Sequence, residues 1–316
     1  MNSESSHAST FAMCVYYLPI GTIAVFANFI NLAMYTHTKE ARKTYICFIA
    51  LELGELINSI SFLLTGSGRL ELLRTEDFHL PHTVHDCFYG TFWVHAQILG
   101  TEIPTLFLIL TSIERIIAVC WPEKFSKMFT DWTKGIMIAV CILIAMGSLG
   151  AAAATSYNNR SLNNSGHCGI IHSTAKWFST FHYLFIIVGY GMSLLSLVVM
   201  KIYSMKFRMT GKATLHRDSK TNILIAFTGA SLLLVASPSI AMIGIRYKWF
   251  NMEDMWTAFI YSTTVMVSIA NMIINFIFRT DFRQTFFHYT NAAGITHHQD
   301  SSQVFSHIHH TTSSHH

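Results

Sequence analysis

Charge is what this sequence has least of. Only 12% of its 316 residues are Asp, Glu, Lys or Arg, against 51% hydrophobic, which leaves too little polar surface to cover a soluble globule of that length. No paired Asp, His-x-x-x-His or Gly-x-Ser-x-Gly lies within any apolar stretch. No catalytic constellation presents itself, so the chain is not expected to be an enzyme. His297, His298, His307, His309, His310, His315 and His316 crowd the C-terminal tail among Ser and Thr without fixed spacing, which argues against a metal site. Neither a cofactor nor a nucleic-acid partner is expected; the net charge of +4 collects in alternate loops. The start of the chain lacks a positive n-region, so no cleavable signal peptide is expected and the first apolar run serves as its own anchor.

What is present is apolar sequence in seven long runs: 11–36, 44–66, 88–119, 135–156, 177–203, 221–245 and 255–279. Each reaches or exceeds the roughly 20 residues that cross a bilayer core. The expected fold is therefore an all-α membrane protein. A short N-terminal tail (1–10) precedes a seven-transmembrane helix bundle (11–288), and a disordered His/Ser/Thr-rich tail (289–316) follows. An odd number of spans puts the termini on opposite sides. Lys39, Arg42 and Lys43, then Lys124, Lys127 and Lys134, then Lys201, Lys206, Arg208, Lys212, Arg217 and Lys220 fill alternate loops. The intervening loops carry only Arg69, Arg74, Arg160, Lys176, Arg246 and Lys248. The positive-inside bias gives an extracellular N-terminus and a cytoplasmic tail. Two glycosylation acceptors, Asn159 and Asn163, fall in an outside loop, as they must to be used. Of six cysteines, Cys14, Cys47, Cys120 and Cys141 lie in or at the ends of spans; Cys87 and Cys168 lie outside, where an oxidising compartment would pair them.

The third run closes on Glu114-Arg115-Ile116-Ile117-Ala118-Val119-Cys120-Trp121-Pro122. With seven spans and an outside N-terminus, this segment resembles the coupling motif of seven-transmembrane G-protein-coupled receptors. Glu114, Arg115, Ala118, Val119 and Pro122 hold the family's places, and Ile116 departs from its aromatic. Asn28 matches the first-span Asn and Pro238 the sixth-span Pro. Asn271 and Asn275 keep the spacing of the seventh-span Asn-Pro-x-x-Tyr while losing its Pro and Tyr. Ala236 stands where the sixth-span Trp is expected. Glu-Arg together with these losses is similar to the nematode serpentine chemoreceptors, a divergent rhodopsin-like group. The resemblance implies a receptor for small environmental molecules, coupled to a heterotrimeric G protein, in the plasma membrane or the ciliary membrane of sensory neurons.

Arg115 is always charged and is expected to pair with Glu114 or with an acid on the sixth helix, where Asp218 is nearest. Glu52, Glu55 and Glu102 lie inside spans, and a lone carboxylate there needs a partner or a proton. Asn28, Glu52 and Asn271 each lie about eight residues, or about 12 Å, from one end of a span; with Glu55 and Asn275 they form a candidate polar switch cluster. The inward stripe of the third helix counted back from Arg115 runs through Leu108, Pro104, Thr101 and Gln97. Gln97, Thr101, Glu102, His182, Tyr183 and Tyr261 are the ligand-binding candidates, and Gln97, standing where amine receptors carry Asp, argues against a cationic amine. The seventh span has no Lys, which excludes a retinal Schiff base. A seven-span ligand-gated channel or transporter is the alternative, because intramembrane carboxylates also mark ion paths.

Overall fold

The computed structural model describes residues 3–163, 166–209, 217–250 and 252–292. It falls into two compact units, Met1–Ile274 and Asn275–His316. Seven helices are long and apolar enough to cross a membrane, making this a multi-pass membrane protein. The first is Ser3–Thr36, the second Ile46–Arg74, the third Phe92–Cys120, the fourth Asp131–Ser156 and the fifth Lys176–Met209. The sixth is built from Arg217–Ser231, a π-helical turn Leu232–Ala236, and Ser237–Arg246. The seventh is Asp254–Phe278. All seven expected runs are found, with differences in extent: the third begins at Phe92 rather than 88, because Thr91 in extended conformation separates it from the short helix Val84–Gly90. The first helix begins at Ser3, within the stretch expected as a tail. The second continues eight residues beyond the expected end at 66, because Leu70, Leu72 and Leu73 keep an apolar face past Arg69.

The second and third helices are the inner ones, with 61% of their apolar windows buried, while the fourth has only 11%. Close approach explains the inner pair. A Cβ added at Gly100 would stand 2.6 Å from Asn58 Cα, and one at Gly54 would stand 3.0 Å from Pro104 N. Two glycines thus let the helices meet backbone to backbone, which is how helices associate where lipid removes any hydrophobic drive between them. Prolines interrupt the first, third and sixth helices at Pro19, Pro104 and Pro238. Pro238 has no N–H for the Leu234 carbonyl four residues earlier. Thr263 of the seventh helix donates its hydroxyl to that carbonyl at 2.8 Å, as a membrane interior requires.

At one end of the bundle the chain between spans is ordered. His82–Thr83 pairs antiparallel with Leu162–Asn163, and Thr83 and Asp86 form a capping box on the short helix Val84–Gly90. The Thr83 hydroxyl, 2.6 Å away, holds the Asp86 carboxyl below the usual range. The expected disulfide Cys87–Cys168 ties this helix to the segment before the fifth span. At the other end lie the short helices Lys39–Thr44 and Pro122–Met128.

The second unit comprises the final turn of the seventh helix and the helix Thr280–Ala292. Phe276 meets Phe286 and Phe287 at ring distances of 5.7 and 6.0 Å, and Arg283 donates to the Ile277 carbonyl at 3.2 Å. Helix therefore occupies 289–292, the start of the expected tail, and the rest of that tail lies outside the described residues.

Candidate functional site

Three polar constellations stand inside the bundle. The first surrounds a cavity of about 220 Å3 at the disulfide end. Its polar wall is Tyr17, Arg69, Gln97, Tyr183 and Tyr261; Met13, Ile170, Ile171, Met242, Ile245 and Met252 supply an apolar one, and His167 and His172 stand half-buried at its edge. The Cys87–Cys168 bridge positions this edge, with the Trp93 indole donating to the Cys168 carbonyl at 3.0 Å. Arg246 fastens the next turn, donating to the carbonyls of Ile171 and Thr174.

Sequence reasoning missed Tyr17, His167, His172 and Thr257 on this wall, and above all Arg69, which it counted as a loop charge. The extended second helix carries it inward to 6% exposure. Its Nε donates to the His167 carbonyl at 2.7 Å, its Nη1 lies 3.9 Å from Met13 Sδ, and its guanidinium stands 5.9 Å from the Tyr17 ring centroid. Among the described residues no carboxylate is within ion-pair reach of it. The available signal was periodicity: Arg69 follows Phe62 and Thr65 by seven and four residues, on one helical face.

Of the expected ligand residues, Gln97, Tyr183 and Tyr261 line the cavity. Gln97 donates to Thr65 Oγ1 at 2.8 Å. Tyr261 stacks on Phe62 at 5.4 Å, and its buried hydroxyl has no hydrogen-bond partner. Thr101, Glu102 and His182 do not line it. They form a second network instead: Glu102 Oε1 is 2.7 Å from His182 Nδ1 and accepts from Ser148 Oγ at 2.9 Å, while His182 Nε2 is 3.2 Å from Thr101 Oγ1. This sews the third, fourth and fifth helices together and leaves Glu102 satisfied by protein rather than ligand.

The third constellation lies deeper. Asn28 Nδ2 donates to Ser59 Oγ at 2.9 Å and to Ser268 Oγ at 3.0 Å, joining the first, second and seventh helices. Asn31 Nδ2 donates to Glu52 Oε2 at 3.1 Å. Glu55, one turn on, lines a cavity of about 10 Å3 together with Asn58, Tyr190 and Thr264, room for about one water. The carboxamide oxygens of Asn28, Asn58 and Asn271 are buried without hydrogen-bond partners. Asn271 lies one turn beyond Ser268 on the same helix, whereas Asn275 belongs to the second unit.

At the opposite end, the expected pairing of Arg115 with Glu114 is not formed. Glu114 Oε1 is held by Lys134 Nζ at 3.0 Å, an almost fully buried ion pair. Adjacent residues on a helix point about 100° apart, so a third group can take the acid away from its sequence neighbour. Arg115 lies over the Phe48 ring at 5.9 Å, its Nε buried without a partner. Among the described residues no carboxylate reaches it. The side chain of Asp218 lies outside the described residues. Ala118 is buried on the same helix and Pro122 opens the next one. Of the glycosylation candidates, Asn159 Oδ1 accepts from Ser161 N at 3.1 Å, and Asn163 Nδ2 donates to the His172 carbonyl at 2.7 Å. Compared with known proteins, the chain matches no family model and no curated protein.

Proposed function

We propose that this protein is a G-protein-coupled chemosensory receptor. A small environmental molecule occupies the cavity beside Arg69 and Tyr261, and Arg115 at the far end of the bundle engages a heterotrimeric G protein. The observation that carries this reading is the separation of the two ends: a cavity with a buried, unpartnered Tyr261 hydroxyl at one, and at the other a cation whose neighbouring acid is already committed to Lys134. An Arg relieved of its acid is available to the carbonyls and acids of a partner helix. The π-helical turn Leu232–Ala236 and the Pro238 break give the sixth helix a place to bend between those ends. On this reading the N-terminus is extracellular and the tail cytoplasmic, following the basic loops, and the protein belongs in the plasma membrane or a sensory ciliary membrane. The Asn28–Ser59–Ser268 and Asn31–Glu52 bonds connect three helices along the way, a polar cluster whose rearrangement transmits the bend.

The buried Glu52 and Glu55 favour a second reading, a ligand-gated channel or transporter. One experiment separates the two. The chain is expressed with a promiscuous G-protein α subunit, and calcium release and whole-cell current are recorded against a diverse odorant panel for wild type and Arg115→Ala. Receptor function gives a calcium response that Arg115→Ala abolishes at equal surface expression. A fast current that survives Arg115→Ala gives the channel reading instead.

A further inference from the structure

We infer that the cavity at the disulfide end takes an organic anion: a carboxylate on a compact apolar body, its charge met by Arg69. The inference rests on the cavity being the ligand site proposed above. Arg69 is buried in the wall with no acid beside it, and none of the fifteen lining residues is acidic. A buried cation without a counter-ion is costly, and the groups that touch this one, a carbonyl, a thioether and the ring and hydroxyl of Tyr17, are all neutral and offset only part of that cost. Arg69 Nη2 faces Gly169, where a Cβ would stand 3.3 Å from it. The Tyr261 hydroxyl on the same wall is a buried donor without an acceptor. A guanidinium edge and a phenol together suit the two oxygens of a carboxylate.

The remaining walls define the rest of the molecule. Met13, Ile171, Met242 and Met252 present apolar, adaptable surface. Since a cavity of about 150 Å3 holds benzene, one of about 220 Å3 holds a ring or short chain with its acid group, roughly nine heavy atoms by the same ratio, and the edge at His167 and His172 lets a slightly longer molecule extend beyond it. A phosphate dianion would bring more charge than one Arg offsets. A cation would meet Arg69 with no acid in reach, because Glu102 is turned to His182 and Ser148.

The test is direct binding to the purified full-length protein in nanodiscs, by thermal shift and calorimetry, with no G protein present. The probes are 3-phenylpropionate, its alcohol and amine counterparts 3-phenylpropanol and 3-phenylpropylamine, and straight-chain carboxylates from butanoate to decanoate. The expected result is that at least one carboxylate stabilises the protein and that 3-phenylpropionate binds roughly 10- to 100-fold more tightly than the alcohol, with the amine weakest. Arg69→Gln should erase that preference. If Arg69→Gln does not fold, Tyr261→Phe, which keeps the ring against Phe62, should weaken the acid several-fold and leave the alcohol unchanged. Equal binding of acid and alcohol, no binding by any carboxylate, or an unchanged preference in a folded variant would each overturn the inference. Carboxylate binding without coupling in the calcium assay would condemn the receptor reading alone. Coupling to neutral odorants without carboxylate binding would condemn only the anion.

Discussion

At the scale of the residue, Lys134 governs what Arg115 is free to do. Its ammonium, 3.0 Å from Glu114 and about as buried, takes the acid that would otherwise sit beside the Arg. Removing one partner of a buried pair leaves an uncompensated charge, which costs about 3 kcal/mol or more, whereas removing both together costs far less. Lys134→Met should therefore lower the melting temperature of the detergent-purified protein, and the Lys134→Met/Glu114→Leu double variant should recover most of the loss. A second consequence concerns signalling: with Lys134 gone, Glu114 is free to turn to Arg115, and odorant-evoked calcium release should fall relative to the double variant at equal surface expression. Lys134 and Arg69 were both countable in the sequence as loop cations, and both are buried with specific partners. Cations near span ends read the same whether they reach for water or turn inward. Only the course of the helix beyond the apolar run tells the two apart.

At the scale of the element, the second and third helices meet backbone to backbone, while the sixth is interrupted by a π turn and Pro238. The seam at Gly54 and Gly100 allows no side chain between backbones. Gly100→Leu should separate the pair, abolishing surface expression or lowering stability by several kcal/mol, within the range for overpacked interiors; thermal denaturation in nanodiscs reads the effect. The sixth helix depends instead on a loan from its neighbour, the Thr263 hydroxyl on the Leu234 carbonyl. Thr263→Val removes that donor and should cost about 1 kcal/mol, with raised ligand-free calcium signalling as the functional sign of a looser bend. The seven elements themselves were plain from sequence, because runs of twenty apolar residues admit little else. The π turn was not: Leu232–Ala236 differs from ordinary helix by one residue of register, and its nearest signal was Pro238 two residues on.

At the scale of the whole molecule, the Cys87–Cys168 bridge closes a separation of 81 residues and holds the His167–Ile171 wall of the cavity. Cys87→Ser should lower stability by about 2–4 kcal/mol and weaken ligand binding while leaving the Lys134–Glu114 end intact. Paired assays of ligand binding and of the melting curve check both effects. This pairing was readable from the span assignment and the orientation together, since only Cys87 and Cys168 fell in segments assigned to the outer side. The cavity was half readable: Gln97, Tyr183 and Tyr261 lie on its wall, while Thr101, Glu102 and His182 pack into each other. A helical stripe says which side chains point inward, but not which of them satisfy one another before a ligand arrives. The fourth helix has the opposite character. Ile142, Leu143, Ile144 and Met146 are 41–69% exposed, a surface suited to bilayer tails. Any apolar side chain serves there as well as another. Exchanges among apolar residues at these positions should therefore leave the melting temperature nearly unchanged, which makes the fourth helix the natural place to attach a reporter side chain.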